Sequence, residues 1–178
     1  MGRIIKPVVV VVVILLVLAI PALAIVARSY ILAPTAQPAK SQPIAFPHSI
    51  HVNVVGLDCT FCHRGATTQA DSTIPALQLC MGCHSIIPTT DRPELQMLVT
   101  AFNSGTPINW TRVDQLPDHV HFVHAEHINA GFSCATCHGD VASMAPGAVV
   151  QVRDLRMGDC ITCHRENNAP TDCSTCHY

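Results

Sequence analysis

Residues 46–63 read FPHSIHVNVVGLDCTFCH, and residues 122–138 read FVHAEHINAGFSCATCH. Each stretch sets Phe-x-His-x-x-His ahead of a glycine and then Cys-x-x-Cys-His. The first holds Phe46, His48, His51, Gly56, Cys59, Cys62 and His63; the second holds Phe122, His124, His127, Gly131, Cys134, Cys137 and His138. His48 precedes its cysteine by 11 residues and His124 by 10. Cys-x-x-Cys-His recurs at Cys80/Cys83/His84, Cys160/Cys163/His164 and Cys173/Cys176/His177, so five copies consume all ten cysteines. Thiols at this spacing add across the two vinyl groups of haem, and the adjoining His is delivered to the iron as its proximal axial ligand. Zinc sites and disulfides also use cysteine pairs. Neither needs a His directly after every second Cys. The expected cofactors are five covalently attached haem c groups.

Haem iron held only by a proximal His has a second axial position, which electron-transfer proteins close with another side chain, commonly His or Met. Six histidines lie outside the motifs: His48, His51, His119, His121, His124 and His127. The repeat selects His48, His51, His124 and His127 as distal ligands, leaving His119 and His121 for one position. His119 is favoured, because the X-Pro step at Leu116-Pro117 restricts the backbone on its approach. Met144 and Met157 are rival ligands that would raise the potential of the haem they bound; otherwise both are ordinary packing residues. Each repeat is followed by a further motif, 21 residues on at Cys80 and 26 residues on at Cys160. The predicted domain is two dihaem units, about residues 44–84 and 120–164, with a terminal fifth site in residues 165–178.

The rest of the chain is read from composition. Aromatic residues make up 4% of it and apolar residues 49%, much of that in residues 7–27, PVVVVVVILLVLAIPALAIVA, which carry no charge. A helix of about 20 such residues crosses a hydrocarbon core of roughly 30 Å. Residues 1–32 are therefore expected to form an N-terminal membrane anchor. The alternative is a cleaved signal, with Arg3 and Lys6 as its basic start, Val8 to Ile20 as its apolar run and Ala22-Leu23-Ala24 as its cleavage site. Both readings leave Arg3 and Lys6 on the cytoplasmic side and export the remainder.

Residues 33–43, APTAQPAKSQP, have the composition of a stiff extended linker. Residues 44–178 form the haem domain, mostly irregular and α-helical, with the macrocycles as most of its core. A short helix is expected over Asp91–Val99, with Pro93 in its first turn and Leu95, Leu98 and Val99 for burial. Trp110 is expected to be a packing residue. From residue 33 onward seven Lys and Arg face twelve Asp and Glu, a balance of −5, and Lys40 is the one lysine. This charge gives no support to nucleic-acid binding and argues against a lysine-ringed docking face. Partners are expected to meet the domain through apolar contact, stable subunit packing or their own basic surface.

The phrase Phe-x-His-x-x-His followed by Gly-x-x-Cys-x-x-Cys-His resembles the small class III multihaem cytochromes c. That resemblance implies that His48 ligates the haem of Cys59/Cys62 and His124 that of Cys134/Cys137, with His51 and His127 reaching other haems. Nearly the whole chain, including the run from Trp110 to His127, is similar to the pentahaem subunits of alternative complex III. This likeness implies a place beside iron-sulphur subunits and quinol-binding integral membrane subunits, passing electrons to a periplasmic acceptor.

The motif density and the absence of any acid/base or phosphate-binding constellation predict an electron-transfer component that is not an enzyme by itself. It is expected on the outer face of the bacterial inner membrane, held by one span in the lipid. Two alternatives stand beside it. A NapC/NrfH-like quinol dehydrogenase also joins one helix to several haems, but the first motif here, Cys59-Thr-Phe-Cys-His63-Arg-Gly, lacks a Met two residues after the His. A free periplasmic shuttle would follow from signal cleavage.

Overall fold

The structure, a computed structural model, describes residues 2–31 and 38–178, and in the first helix the side chains of residues 9–10 and 13–27. The chain divides into two compact units, residues 1–35 and 36–178. The first is a single helix, α1 (Gly2–Ile31), and its described large apolar side chains are exposed, from Val26 at 50% to Leu23 at 71%. Among the described residues no helix is long and apolar enough to cross a membrane. The side chains at positions 7, 8, 11 and 12 of the expected span lie outside the described residues.

The second unit contains seven helices among the described residues: α2 (Cys59–Cys62), α3 (Leu77–His84), α4 (Pro93–Ser104), α5 (His124–Asn129), α6 (Cys134–His138), α7 (Met157–Glu166) and α8 (Cys173–Cys176). No strand occurs among them. Every Cys-x-x-Cys-His motif falls on a helical turn. The reason is local, because residues i, i+3 and i+4 share one helix face, so one turn aims both thiols and the imidazole the same way. The His63 and His177 N–H groups accordingly donate to the Cys59 and Cys173 carbonyls, at 2.9 and 3.0 Å.

Side-chain packing contributes little cohesion. The buried apolar residues described are Ile44, Ala66, Leu98 and Ala125, and no large side chain is fully buried. Helix α4 packs against α3 with Leu98 buried and Leu95 and Val99 half-buried. It starts at Pro93 and runs five residues beyond the expected end at Val99, to Ser104, because the first helix breaker after Pro93 is Gly105. Residue 32 of the expected anchor lies outside the described residues, as do residues 33–37 of the expected linker. Its later part is pinned to the haem domain: Lys40 Nζ donates to the Arg112 and Val113 carbonyls, Gln42 exchanges hydrogen bonds with the Thr111 backbone, and the Thr111 hydroxyl donates to the Ser41 carbonyl. Lys40 is thus engaged within this unit.

Several contacts join the repeats, among them the Gly147 N–H donating to the Phe46 carbonyl at 3.3 Å. Ala70 O accepts from both the backbone N–H and Nδ1 of His124, and Gln69 O accepts from Ala125 N–H, which docks α5 on the 3-10 turn Arg64–Thr67 and the loop after it. Asn53 Nδ2 donates to the Ala142 carbonyl at 3.1 Å.

Candidate metal centres

The imidazoles of the motifs meet those of the repeats in pairs. His51 and His84 have ring centroids 6.0 Å apart, His127 and His164 6.0 Å, His124 and His138 6.4 Å, and His119 and His177 5.4 Å. His48 lies within electrostatic reach of His63 and His51; burial, and then those two neighbours, lower its pKa. Each motif His therefore has a partner among His48, His51, His119, His124 and His127. His121 stands apart, stacked on Tyr178 at 4.3 Å with its backbone N–H on the Cys176 carbonyl. Met157 is 69% exposed at the start of α7, and Met144 is half-buried after a 3-10 turn.

Hydrogen bonds fix the ring orientations. Nδ1 of His51 donates to Pro47 O at 3.0 Å, His63 to Thr73 O at 2.7 Å, His127 to Val123 O at 2.9 Å, His164 to Pro170 O at 2.5 Å and His177 to His119 O at 2.8 Å. His124 donates to Ala70 O at 2.6 Å. His138 differs, donating to the Asp114 carboxylate at 3.0 Å; that bond holds the His138 pKa up against the opposing effect of burial. His84 Nδ1 is buried with no partner among the described residues, and burial, His51 and Arg92 lower its pKa. A ring whose Nδ1–H is committed in this way presents an unprotonated Nε2, the form in which imidazole binds metal.

All ten cysteines are free of disulfides. Cys59, Cys83 and Cys173 are the thiols most open to solvent. These three are exposed, while the other seven are half-buried. Protein atoms cover a thiol only where another element lies over it, and Cys83 sits one residue from the end of α3, whereas Cys80, a turn earlier, lies beside Cys62. A thiol that joins a vinyl group must keep one side open to the porphyrin, so exposure of Cys83 is compatible with attachment.

The thiols also meet across motifs. Burial and then Cys134, which shares a hydrogen bond with it, raise the Cys59 pKa; burial and then Cys62 raise that of Cys80. Burial raises Cys137 and Cys160, with lesser upward contributions from Cys163 and Cys176. Thiols of the first and second, first and third, third and fourth, and fourth and fifth motifs therefore lie within electrostatic reach of one another.

Residues 120–178 match the family model described as cytochrome c7 and related cytochrome c. Over 162 residues the chain is 30% identical to the menaquinone reductase multihaem cytochrome c subunit of Nitratidesulfovibrio vulgaris, a match covering 78% of this chain and 77% of that one. The chain belongs to the multihaem cytochromes c. Cytochromes of this family carry covalently bound haem c, and the donor set suits it. A metal–imidazole bond is about 2 Å and a ring nitrogen sits about 1.1 Å from its centroid, so two imidazoles bracketing one iron have centroids roughly 6.3 Å apart. Three ring pairs of the cytochrome lie at 6.0 to 6.4 Å, and the fourth is tighter at 5.4 Å.

The repeat is visible in this geometry. Phe46 stacks on His51 at 4.3 Å and meets His48 edge-on at 4.8 Å; Phe122 stacks on His127 at 4.3 Å and meets His124 edge-on at 4.9 Å. Sequence reasoning missed Asp114, since a carboxylate 24 residues before its histidine has no spacing signature. It also missed Thr73, whose carbonyl is aimed at His63 by a left-handed backbone, φ 64°. A β-branched residue there is strained.

Proposed function

We propose that this cytochrome is the five-haem electron-transfer subunit of a membrane quinone-linked oxidoreductase, similar to the ActA subunit of alternative complex III. The observation that carries the reading is the ring pairing of four motif histidines with four others, with His48 within electrostatic reach of the fifth, His63. In it Cys59/Cys62, Cys80/Cys83, Cys134/Cys137, Cys160/Cys163 and Cys173/Cys176 would hold the porphyrins, the ring pairs His84/His51, His138/His124, His164/His127 and His177/His119 would hold four of the irons, and His63 with His48 would hold the fifth. Each bound haem supplies a one-electron Fe(III)/Fe(II) couple. The chain's own part is to hold the imidazoles in place, seven of the ten by an Nδ1 hydrogen bond, and to bring the sites close enough together for electrons to pass between them.

The uncharged residues 7–27 and the 30-residue helix α1 support a single-pass anchor in the bacterial inner membrane, with the haem domain outside the cytoplasm. At 1.5 Å per residue a helix over residues 7–27 would match the roughly 30 Å of a bilayer core. The partners are quinone-binding integral membrane subunits and iron-sulphur subunits of one complex, with a soluble acceptor beyond.

A second reading keeps the wire and reverses the flow. It rests on the relative's name, menaquinone reductase, which puts quinone at the receiving end. The complex purified in mild detergent tests both. Quinone-binding or iron-sulphur subunits should co-purify, and the haem-to-chain ratio should be five. Haem reduction by menaquinol in the absence of acceptor supports flow towards the acceptor. Menaquinone reduction by electrons supplied from the extracytoplasmic side supports the reverse. A monodisperse, unaccompanied chain sinks the subunit reading.

A further inference from the structure

Among the motif histidines with an Nδ1 acceptor, His63, His164 and His177 donate to neutral backbone carbonyls. His138 donates to a carboxylate, Asp114 Oδ2, at 3.0 Å, and both side chains are partly shielded, 38% and 28% exposed. Asp114 has no other ion pair among the described residues. Arg153, the cation beside Cys137, donates instead to the Thr136 carbonyl at 3.4 Å.

A hydrogen bond from imidazole to an ionised acceptor is shorter and stronger than one to a neutral carbonyl. It draws the Nδ1 proton towards the acceptor and leaves Nε2 the better donor to a metal. A better donor stabilises Fe(III) over Fe(II) and lowers the potential of the haem it holds. The internal repeat supplies the control. His63 is the counterpart of His138, and there the acceptor is the Thr73 carbonyl at 2.7 Å. The ligands are duplicated while the outer acceptor is not.

We propose that Asp114 is a positioning residue that acts through His138 to lower the reduction potential of the haem on Cys134/Cys137. The proposal rests on the five-haem reading above. Cys134 meets Cys59 of the first repeat and Cys137 meets Cys163 of the fourth motif, so this site neighbours both halves of the domain.

The test is potentiometric titration of the full-length, detergent-purified cytochrome and its Asp114→Asn and Asp114→Glu variants, followed optically and by EPR, with haem counted by pyridine haemochrome and located by peptide mass spectrometry. Asparagine keeps an oxygen acceptor and removes the charge, imitating the arrangement at His63. One of the five one-electron couples should then favour reduction by about tenfold, or about 59 mV, with the other four in place. One low-spin EPR signal should change with it, and Asp114→Glu should stay close to the native potential. Five unmoved couples, or five displaced together, overturn the proposal. So does loss of haem from Cys134/Cys137 in Asp114→Asn, which makes the role structural. A native count below five counts against the five-haem reading, and against Asp114 too when the missing group is the one on Cys134/Cys137.

Discussion

The two repeats build nearly the same arrangement of rings from stretches that differ by one residue. Four residues separate His127 from Gly131 and five separate His51 from Gly56, yet each distal ring faces its motif partner at 6.0 Å and each phenylalanine stacks at 4.3 Å. The backbone absorbs the difference. Residues His124–Asn129 form an ordinary α-helix, whereas Ile50–Val54 open into a π turn closed by Val55 N–H on the Ile50 carbonyl at 2.9 Å. A π turn is how a helix accommodates one extra residue without displacing the side chains on either side. Both segments then turn at a glycine in the left-handed region, Gly56 at φ +80° and Gly131 at φ +94°, where no neighbour crowds a Cβ and the backbone alone requires glycine. Selection on a metal site acts on where the imidazoles end up, so the path between them is free to vary.

The strongest way to break the comparison is to remove equivalent rings. His51→Ala and His127→Ala should each convert one of five low-spin haems to high spin and raise its potential, with similar effects in the two repeats; low-temperature EPR and near-infrared absorption read the spin state. His119→Ala should do the same at the terminal site and His121→Ala should not, because His119 faces His177 while His121 stacks on Tyr178. A His119→Ala protein with every haem low-spin would refute that assignment.

The next test concerns what the first repeat has and the second lacks. A Cβ on Gly65 would lie 2.3 Å from the Asp71 carbonyl oxygen and 2.7 Å from Thr73 Cγ2, so the loop that carries the His63 acceptor approaches closer than any side chain permits. Gly65→Ala should destabilise the domain by about 1–3 kcal/mol, the usual cost of overpacking. The damage should reach the second repeat, since Gln69 and Ala70 of the same loop hold α5. Thermal unfolding measures the first effect. A change in the EPR signals of the haems on both His63 and His138 measures the second, and a change confined to His63 would show the repeats to be mechanically independent.

What could be read from the sequence divides along the same line. The motifs, the repeat and the six candidate histidines are legible because covalent attachment and ring delivery depend on spacing within one or two helical turns. The pairing of rings is not, since His119 lies 58 residues from His177 and His51 lies 33 from His84, and only the fold brings them together. The exposure of Cys83 against the half-burial of Cys80 was equally hidden, because it depends on which element lies over each thiol. The offset of 11 against 10 residues was visible, but an inserted residue can be absorbed in several ways, and nothing in IHVNV signals a π turn. The docking of residues 40–42 on 111–113 was hidden for another reason: most of its bonds end on backbone carbonyls, which every sequence supplies.

The smallest expected effect sharpens the comparison most. Deleting Val54, which is 77% exposed, leaves His51 and Gly56 separated as His127 and Gly131 are, and spares the Asn53 bond to Ala142. If the π turn does nothing but house the extra residue, the shortened segment should close as an α-helix, retain its full haem content and unfold within about 1 kcal/mol of the parent, the scale of a surface change. The rings should also keep their relative tilt. His51 and His84 lie at 40° to one another, against 53° for their counterparts His127 and His164. Because the angle between axial ring planes shapes the g-values of low-spin iron, near-parallel rings giving the more rhombic signal, the two sites should be distinguishable by EPR before and after the deletion. A signal from the His51/His84 site that moves towards that of His127/His164 would mean that the π turn sets the ring angle, and that the extra residue in the first repeat tunes its metal site.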